Sequence, residues 1–236
     1  MSSTPRSRPV IAIDGPAASG KSTTARAVAA ALGCAHIDSG ALYRAMTLLA
    51  LDLPTPPERW RAETLVERAR ARGLGLAPFA PPATVQVTLG GAVLGDALRS
   101  EAVTDEVSRV AAMGPVREFV NRLIRVAAAD GGVVLDGRDI GTAVFPDAEV
   151  KVFLVADPAE RARRRLAERG KAADAASVSE EARELVRRDD YDASRDVAPL
   201  ARAADAVLLD TTRLSFEEQV RAIVDLVRRR AGAASR

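Results

Sequence analysis

Val10-Ile-Ala-Ile-Asp-Gly15-Pro-Ala-Ala-Ser-Gly20-Lys21-Ser22-Thr23 is the stretch on which the fold of this 236-residue chain turns. Its apolar run, 10–13, has the length of a buried strand. The segment after it fits G-x-x-x-x-G-K-[ST], and an Ala-rich stretch with helical character, 24–32, follows at once. Strand, glycine loop and helix in that order make a cradle for phosphate. The glycines let the backbone fold tightly, and N–H groups at the helix start point inward at an anion. Gly15, Ala17, Ala18, Ser19 and Gly20 supply this loop. Lys21 is placed to reach β/γ-phosphates, and Ser22 to hold Mg²⁺ through its hydroxyl. Only Lys21, Lys151 and Lys171 among 34 basic residues are lysines, so a lysine in this loop stands out against an arginine background. A compact ammonium on a flexible stem suits phosphate chemistry. The chain is expected to handle a nucleoside triphosphate.

Outward from the loop, five short β-rich runs occur at 10–14, 35–38, 133–136, 150–155 and 207–210. Several are apolar on both faces, as central strands of a parallel sheet must be. Helical patterns fill the intervals at 21–32, 41–51, 100–110, 116–129, 159–169, 179–188 and 216–230. Alternating strand and helix predict an α/β doubly wound fold, with ligands at the carboxyl ends of the strands. Four runs end in or just before aspartate (Asp14, Asp38, Asp136, Asp210), which lines that edge with carboxylates. Two regions break the alternation. The interval 52–100 opens on Pro54, Pro56 and Pro57, continues with a charged helix expected at 58–72, and contains a period-2 stretch at 84–89. It reads as part of an inserted subdomain with a small hairpin or three-stranded sheet. The interval 157–195 is dense in charge, with Gly170 and an Ala/Ser-rich gap at 172–177, and reads as a mobile pair of helices.

The bulk composition excludes several classes. The chain is 47% hydrophobic and 28% charged, ordinary for a globular protein. A net charge of +2 with 3% aromatics argues against a nucleic-acid partner. The single Cys34 rules out an internal disulfide framework and reads as a small buried hydrophobe. No apolar stretch approaches the roughly 18 residues of a membrane span, and the polar lead-in 1–8 reads as a disordered tail rather than a signal peptide. A cytoplasmic monomer is the expectation.

Three further clusters combine acids, arginines and glycines. Asp38-Ser39-Gly40-Ala41-Leu42-Tyr43-Arg44 lies where a strand passes into a helix, and its free N–H groups, hydroxyl and Arg44 would grip a second anion. Asp136-Gly137-Arg138-Asp139-Ile140-Gly141-Thr142 follows another strand and points a donor fork and an acceptor into the cleft. Arg187 to Arg195 closes the charged region. Phosphoryl transfer needs positioning and charge stabilisation more than a strong base, and a phosphate acceptor already carries an anionic oxygen. The lone His36 fits that scheme as a buried structural residue, not a base.

Together these segments resemble the bacterial cytidylate kinases, the CMP/dCMP kinases of the nucleoside monophosphate kinase family. The resemblance rests on 13–22, 38–44, 136–142 with Val144-Phe-Pro-Asp-Ala148, 188–192, 195–200 and 205–212, and covers most of 9–230. It implies a three-layer P-loop kinase fold with a five-stranded parallel sheet. The core would span 9–50, 131–156 and 196–230, with a nucleoside-monophosphate-binding insertion over 52–115 and a mobile helical lid over 157–195. It implies ATP phosphates and Mg²⁺ held by Gly20, Lys21, Ser22 and Thr23, with Asp136 or Asp38 behind Ser22 at the metal. Arg161, Arg164 and Arg165 would close over ATP. Asp38, Ser39, Tyr43 and Arg44 would contact the CMP phosphate side, and Ser108, Arg117 and Asp139, with Arg138, the cytosine pocket and adjoining phosphate. Arg188, Asp192 and Arg195 would reach the sugar and the transferring group. Lys21, Arg138, Arg164 and Arg188 would be catalytic, and the partners small nucleotides alone. Two departures stand out: 55–95 matches loosely, and Ile124 replaces the Gln usual before the arginine at 125, which removes any polar role there. Another small-molecule P-loop kinase would need a different acceptor site. A guanine-nucleotide switch lacks its Asn-Lys-x-Asp motif in this chain.

Overall fold

The computed structural model describes residues 8–234. Of the tail expected over 1–8, only Arg8 lies within that range, and its guanidinium donates to the Gly33 carbonyl at 2.7 Å. The main sheet has five parallel strands: β1 (Val10–Asp14), β2 (Ala35–Asp38), β6 (Val133–Gly137), β7 (Val150–Val155) and β8 (Val207–Asp210). Their order is β2-β6-β1-β7-β8. From the central β1 the chain runs out to β2, returns beside it as β6, then crosses over β1 to β7. The connections therefore diverge on either side of β1, and the cleft above its carboxyl end is where such sheets bind ligands.

The double-sided apolar pattern is explained by two cores. Val10 and Ala12 of β1, with Val133 and Leu135 of β6, face the layer of α2 (Ser39–Leu51), α4 (Glu101–Ala111) and α5 (Gly114–Ala127). Ile11, Ile13 and Val134 face the opposite layer, α1 (Lys21–Leu32) and α8 (Phe216–Ala234), together with Cys34. Alternate residues of a strand point to opposite faces, so both must be apolar when helices cover both. The edge strand β8 is the exception, with Val207 and Leu208 exposed.

The expected appendage is present with different boundaries. The helix expected at 58–72 divides into a 3-10 turn, Pro57–Arg59, and α3, Ala62–Ala71. Trp60 between them is extended, buried, and donates from Nε1 to the Thr55 carbonyl at 3.0 Å, which ties the break down. A three-stranded antiparallel sheet follows: β3 (Leu74–Leu76), β4 (Val87–Leu89) and β5 (Ala92–Val93). The front of the 84–89 stretch instead clips onto the main sheet, where His36 N donates to Ala83 O and Val85 N to His36 O, each at 2.8 Å.

The charged region forms a helical hairpin, α6 (Pro158–Glu168) and α7 (Ala175–Ala193), N-capped by the Asp157 and Asp174 side chains. The second helix is longer than the pattern at 179–188 implied, because Asp174 starts it inside the Ala/Ser-rich gap. Its far end carries Asp189 and Asp192 on helix rather than loop. A small third core of Ala162, Leu166, Val178 and Leu185 includes Ala17 of the phosphate loop.

At Gly15 (φ +151) a Cβ would lie 2.1 Å from the Leu154 carbonyl oxygen of β7, so no side chain fits where the loop leaves the sheet. Gly15→Ala is expected to lower stability by about 2–4 kcal/mol, read by urea unfolding. An unchanged midpoint would mean that this turn relaxes freely.

Candidate active site

Above the carboxyl ends of β1, β2 and β6 lies a cavity of about 840 Å³, a size ordinary for a small-molecule site. The phosphate loop, 17–23, forms one wall, and Asp38, Ser39, Tyr43 and Arg44 at the start of α2 form another. Ser108, Arg117, Asp136, Arg138, Asp139, Arg165, Arg188, Asp192 and Arg195 line the rest. Three residues expected at the site fall outside this lining: Gly15, Arg161 and Arg164.

The loop end is built on Asp136, the last side chain of β6 before Gly137. Ser22 Oγ donates to Asp136 Oδ2 at 2.5 Å, and His36 Nε2 is hydrogen-bonded to Oδ1 at 2.7 Å. Ser39 Oγ donates to the Asp136 carbonyl at 2.7 Å. A hydroxyl beside a carboxylate is an oxygen donor pair suited to a hard cation. Among the described residues no group of three His, Cys, Asp or Glu side chains could hold a metal. Mg²⁺ is usually held by one or two protein oxygens with phosphates and water, which the Ser22–Asp136 oxygen pair could supply. Lys21 is buried, and its Nζ donates back to the Pro16 carbonyl at 2.6 Å. Burial, and then the nearby Arg138 guanidinium, hold its pKa well below the ordinary lysine value.

The same lining also holds an ion pair. Arg117 and Asp139 are 2% and 3% exposed and bonded to each other, and Arg117 also donates to the Ala111 carbonyl at 2.9 Å. The Arg117 guanidinium stands 5.2 Å from the Tyr43 ring centroid, a cation–π contact that fixes its plane. A buried pair costs desolvation, so its position on a cavity wall points to recognition rather than stability. Asp192 receives Arg138 Nε at 3.0 Å and is also bonded to Arg195, while Arg138 donates to the Gly15 carbonyl at 3.0 Å. Arg44 donates to Thr104 Oγ1 at 3.1 Å. Arg188 lies among Arg138, Arg165 and Arg44. Burial first, then those like charges, bring its pKa down to about 10, against the opposing charge of Asp192. So many guanidiniums in one hollow imply an anionic ligand.

The profile of the family described as cytidylate kinase matches residues 11–229. The chain belongs to the cytidylate kinase family. Curated relatives named cytidylate kinase are similar over nearly their whole length. The protein of Chlorobaculum tepidum is 45% identical over 226 residues, covering 92% of each chain. That of Salinibacter ruber is 45% identical over 232 residues, covering 94% of this chain and 98% of its own. That of Geobacillus kaustophilus is 46% identical over 225 residues, covering 94% and 97%.

Within this member of the cytidylate kinases, Ile124 is 1% exposed in the main core, so the position where the family usually has Gln faces no ligand. Arg125 beside it donates to the Val144 and Ala143 carbonyls. Arg164, expected over ATP, instead donates to Thr211 O at 2.8 Å and Thr211 Oγ1 at 3.2 Å, with Glu160 on its Nε. Arg165 does reach the cavity, paired with Glu181 at 2.8 Å. Arg161 bonds to Ala17 and Asp189. No helix among the described residues is long and apolar enough to cross a membrane.

Arg99 and Asp14 are among the contributors that the sequence reading does not identify. Arg99 lines the cavity from a 3-10 turn, Gly95–Arg99, in a stretch with no recognisable motif. Asp14 was noted only as a strand end. Its carboxylate, 4% exposed, accepts from Ile140 N at 2.8 Å and Gly141 N at 2.7 Å, and so fixes the turn that carries Arg138 and Asp139.

Burial pushes the Asp14 carboxyl from 3.8 up to about 6, against the lowering effect of the two amides, with Asp139 adding to the rise. The folded chain therefore holds this proton more tightly than the unfolded chain. The associated stability, about 3 kcal/mol, is complete below pH 3.8 and lost as pH rises through 6. The Asp14 carboxyl carbon is expected to titrate near pH 6 by ¹³C NMR, and Asp14→Asn to flatten the decline in stability between pH 4 and 7. A midpoint near 4 would refute this.

Proposed function

We propose that the chain transfers the γ-phosphoryl of ATP to CMP and dCMP, giving CDP or dCDP and ADP. The observation that carries this is one continuous arginine-lined cavity. Its lining brings together the phosphate loop and a buried donor–acceptor pair, Arg117–Asp139. Membership of the cytidylate kinase family supports the same acceptor.

In this scheme 17–23 cradle the ATP phosphates, and Lys21 turns from Pro16 toward them once their charge arrives. Ser22 and Asp136 would hold Mg²⁺, with Asp38 behind them, and bound Mg²⁺ would neutralise charge on the β/γ-phosphates. Arg117 and Asp139, with Ser108 beside them, read the cytosine edge, whose amino group needs an acceptor and whose carbonyl needs a donor. Tyr43, Arg44, Ser39 and Asp38 hold the CMP phosphate side, and Asp192 with Arg195 takes sugar hydroxyls. Arg188 and Arg138 sit where negative charge accumulates in the transferring group. No general base is required, because the attacking oxygen belongs to a phosphate. Residues 52–115 serve as the monophosphate-binding insertion and 157–195 as a lid, with Arg164 and Arg165 on its inner helix. Closure of that lid over both nucleotides excludes water and limits hydrolysis. The scheme carries with it a cytoplasmic monomer acting on free nucleotides.

ADP formation from MgATP is measured against CMP, dCMP, UMP, AMP, GMP and shikimate. Turnover confined chiefly to CMP and dCMP is expected, and a preference for any other acceptor refutes the proposal. Lys21→Ala is expected to lower kcat about 10²–10³-fold with the circular dichroism spectrum unchanged. Asp139→Ala is expected to raise the CMP KM about tenfold or more while ATP affinity stays within about twofold. Equal losses for both nucleotides would make Asp139 structural.

A further inference from the structure

We infer that Asp189 and Arg161, from the two helices of the hairpin, are positioning residues that hold the phosphate loop in its anion-binding shape by clamping Ala17. This rests on the proposed use of the loop by ATP, and assigns Arg161 an action through the loop rather than on the nucleotide.

Both backbone polar groups of Ala17 are taken by one ion pair. Asp189 Oδ1 accepts from Ala17 N at 2.8 Å. Arg161 donates to Ala17 O at 3.0 Å and to Asp189 Oδ2 at 2.5 Å. The pair is sequestered, with side chains 6% and 14% exposed, and neither residue lines the cavity. Arg161 comes from α6 and Asp189 from α7, so the grip exists only when the hairpin is folded against the loop. The methyl group of Ala17 is part of the hairpin's own core, and Ala18 packs at its margin.

What the clamp holds is a strained peptide. Ala18 has φ +54, a left-handed conformation that a residue with a Cβ adopts only under constraint. After that reversal Ser19 and Gly20 line the cavity, and successive amides around a left-handed residue make an anion nest. Released, Ala18 would relax to negative φ and swing the amides of Ser19 and Gly20 away. Because Ala17 N–H is already given to the Asp189 carboxylate, it is not itself a phosphate donor while the clamp holds. Pairing Asp189 with Arg161 keeps that carboxylate neutralised beneath a site built for anions.

The test is a double-mutant cycle between the clamp and the strain it holds. MgATP and CMP dissociation constants are measured by calorimetry for the wild type, Asp189→Ala, Ala18→Gly and the double variant, with melting temperatures alongside. Asp189→Ala is expected to weaken MgATP about tenfold or more and CMP by less than about twofold. In the Ala18→Gly background, where positive φ carries no Cβ strain, the same substitution is expected to cost less than about threefold. An equal loss in both backgrounds, a parallel loss of ATP and CMP, or no loss at all overturns the inference. A wild type that binds MgATP yet does not phosphorylate CMP would refute the proposed reaction while leaving the cycle readable. If Asp189→Ala does not fold, Asp189→Asn serves. Its amide still accepts from Ala17 N–H, so Asp189→Leu, which fills the space and offers no acceptor, is run beside it, and the loss expected of Asp189→Ala is read from Asp189→Leu.

Discussion

Asp136 ties three separate elements of the site to one residue. Its two carboxylate oxygens and its carbonyl meet His36 on β2, Ser22 at the head of α1 and Ser39 at the head of α2. Those elements approach the cleft from different parts of the chain, and each would otherwise present an unsatisfied polar group at a buried strand end. A carboxylate here is costly to bury, and the Ser22 hydroxyl and His36 ring nitrogen bonded to it offset that cost. Strand order follows the same logic. Asp136 sits in register with Asp38 on one side and Ile13 on the other, so its side chain is held at the mouth of the cleft by ladders on both flanks.

Around this anchor the molecule gathers positive charge that it does not fully neutralise. Arg188 is surrounded by Arg138, Arg165 and Arg44, and Arg138 is tied to Asp192 and to the loop. Such crowding is unfavourable in a low-dielectric hollow, and an incoming phosphate relieves it. The same feature that costs stability thus supplies binding, and it is concentrated where phosphoryl transfer would develop charge. The hairpin α6–α7 contributes several of these arginines and shares a core with Ala17. Loop geometry and hairpin position are therefore coupled through direct contacts rather than over a distance.

Much of this was legible beforehand because it depends on local rules. The loop 15–23 and its flanking strand and helix follow from glycine spacing and apolar runs, and all five parallel strands fall where short β-rich runs occur. The placement of 17–23, Asp38 to Arg44 and Asp136 to Asp139 on one cavity follows from their all lying at carboxyl strand ends of a parallel sheet. Boundaries failed where tertiary contacts override propensity. Trp60 is drawn into the core and splits a helix, and His36 captures residues 83 and 85 from the small sheet.

By itself, then, the sequence determined the phosphate loop, the α/β order of elements and the acid- and arginine-rich strand ends. These depend on residues within a few positions of one another, whose spacing fixes which backbone and side-chain groups face together. Only the tertiary structure decided which arginine meets which partner. Arg161 and Arg165 lie one helical turn apart, yet one grips Ala17 from outside the cavity and the other lines it. Asp14 and Gly141, 127 positions apart, form a bond that no local pattern announces. A long, flexible cationic side chain takes its role from whatever the fold brings within reach, and that is set by packing between distant segments.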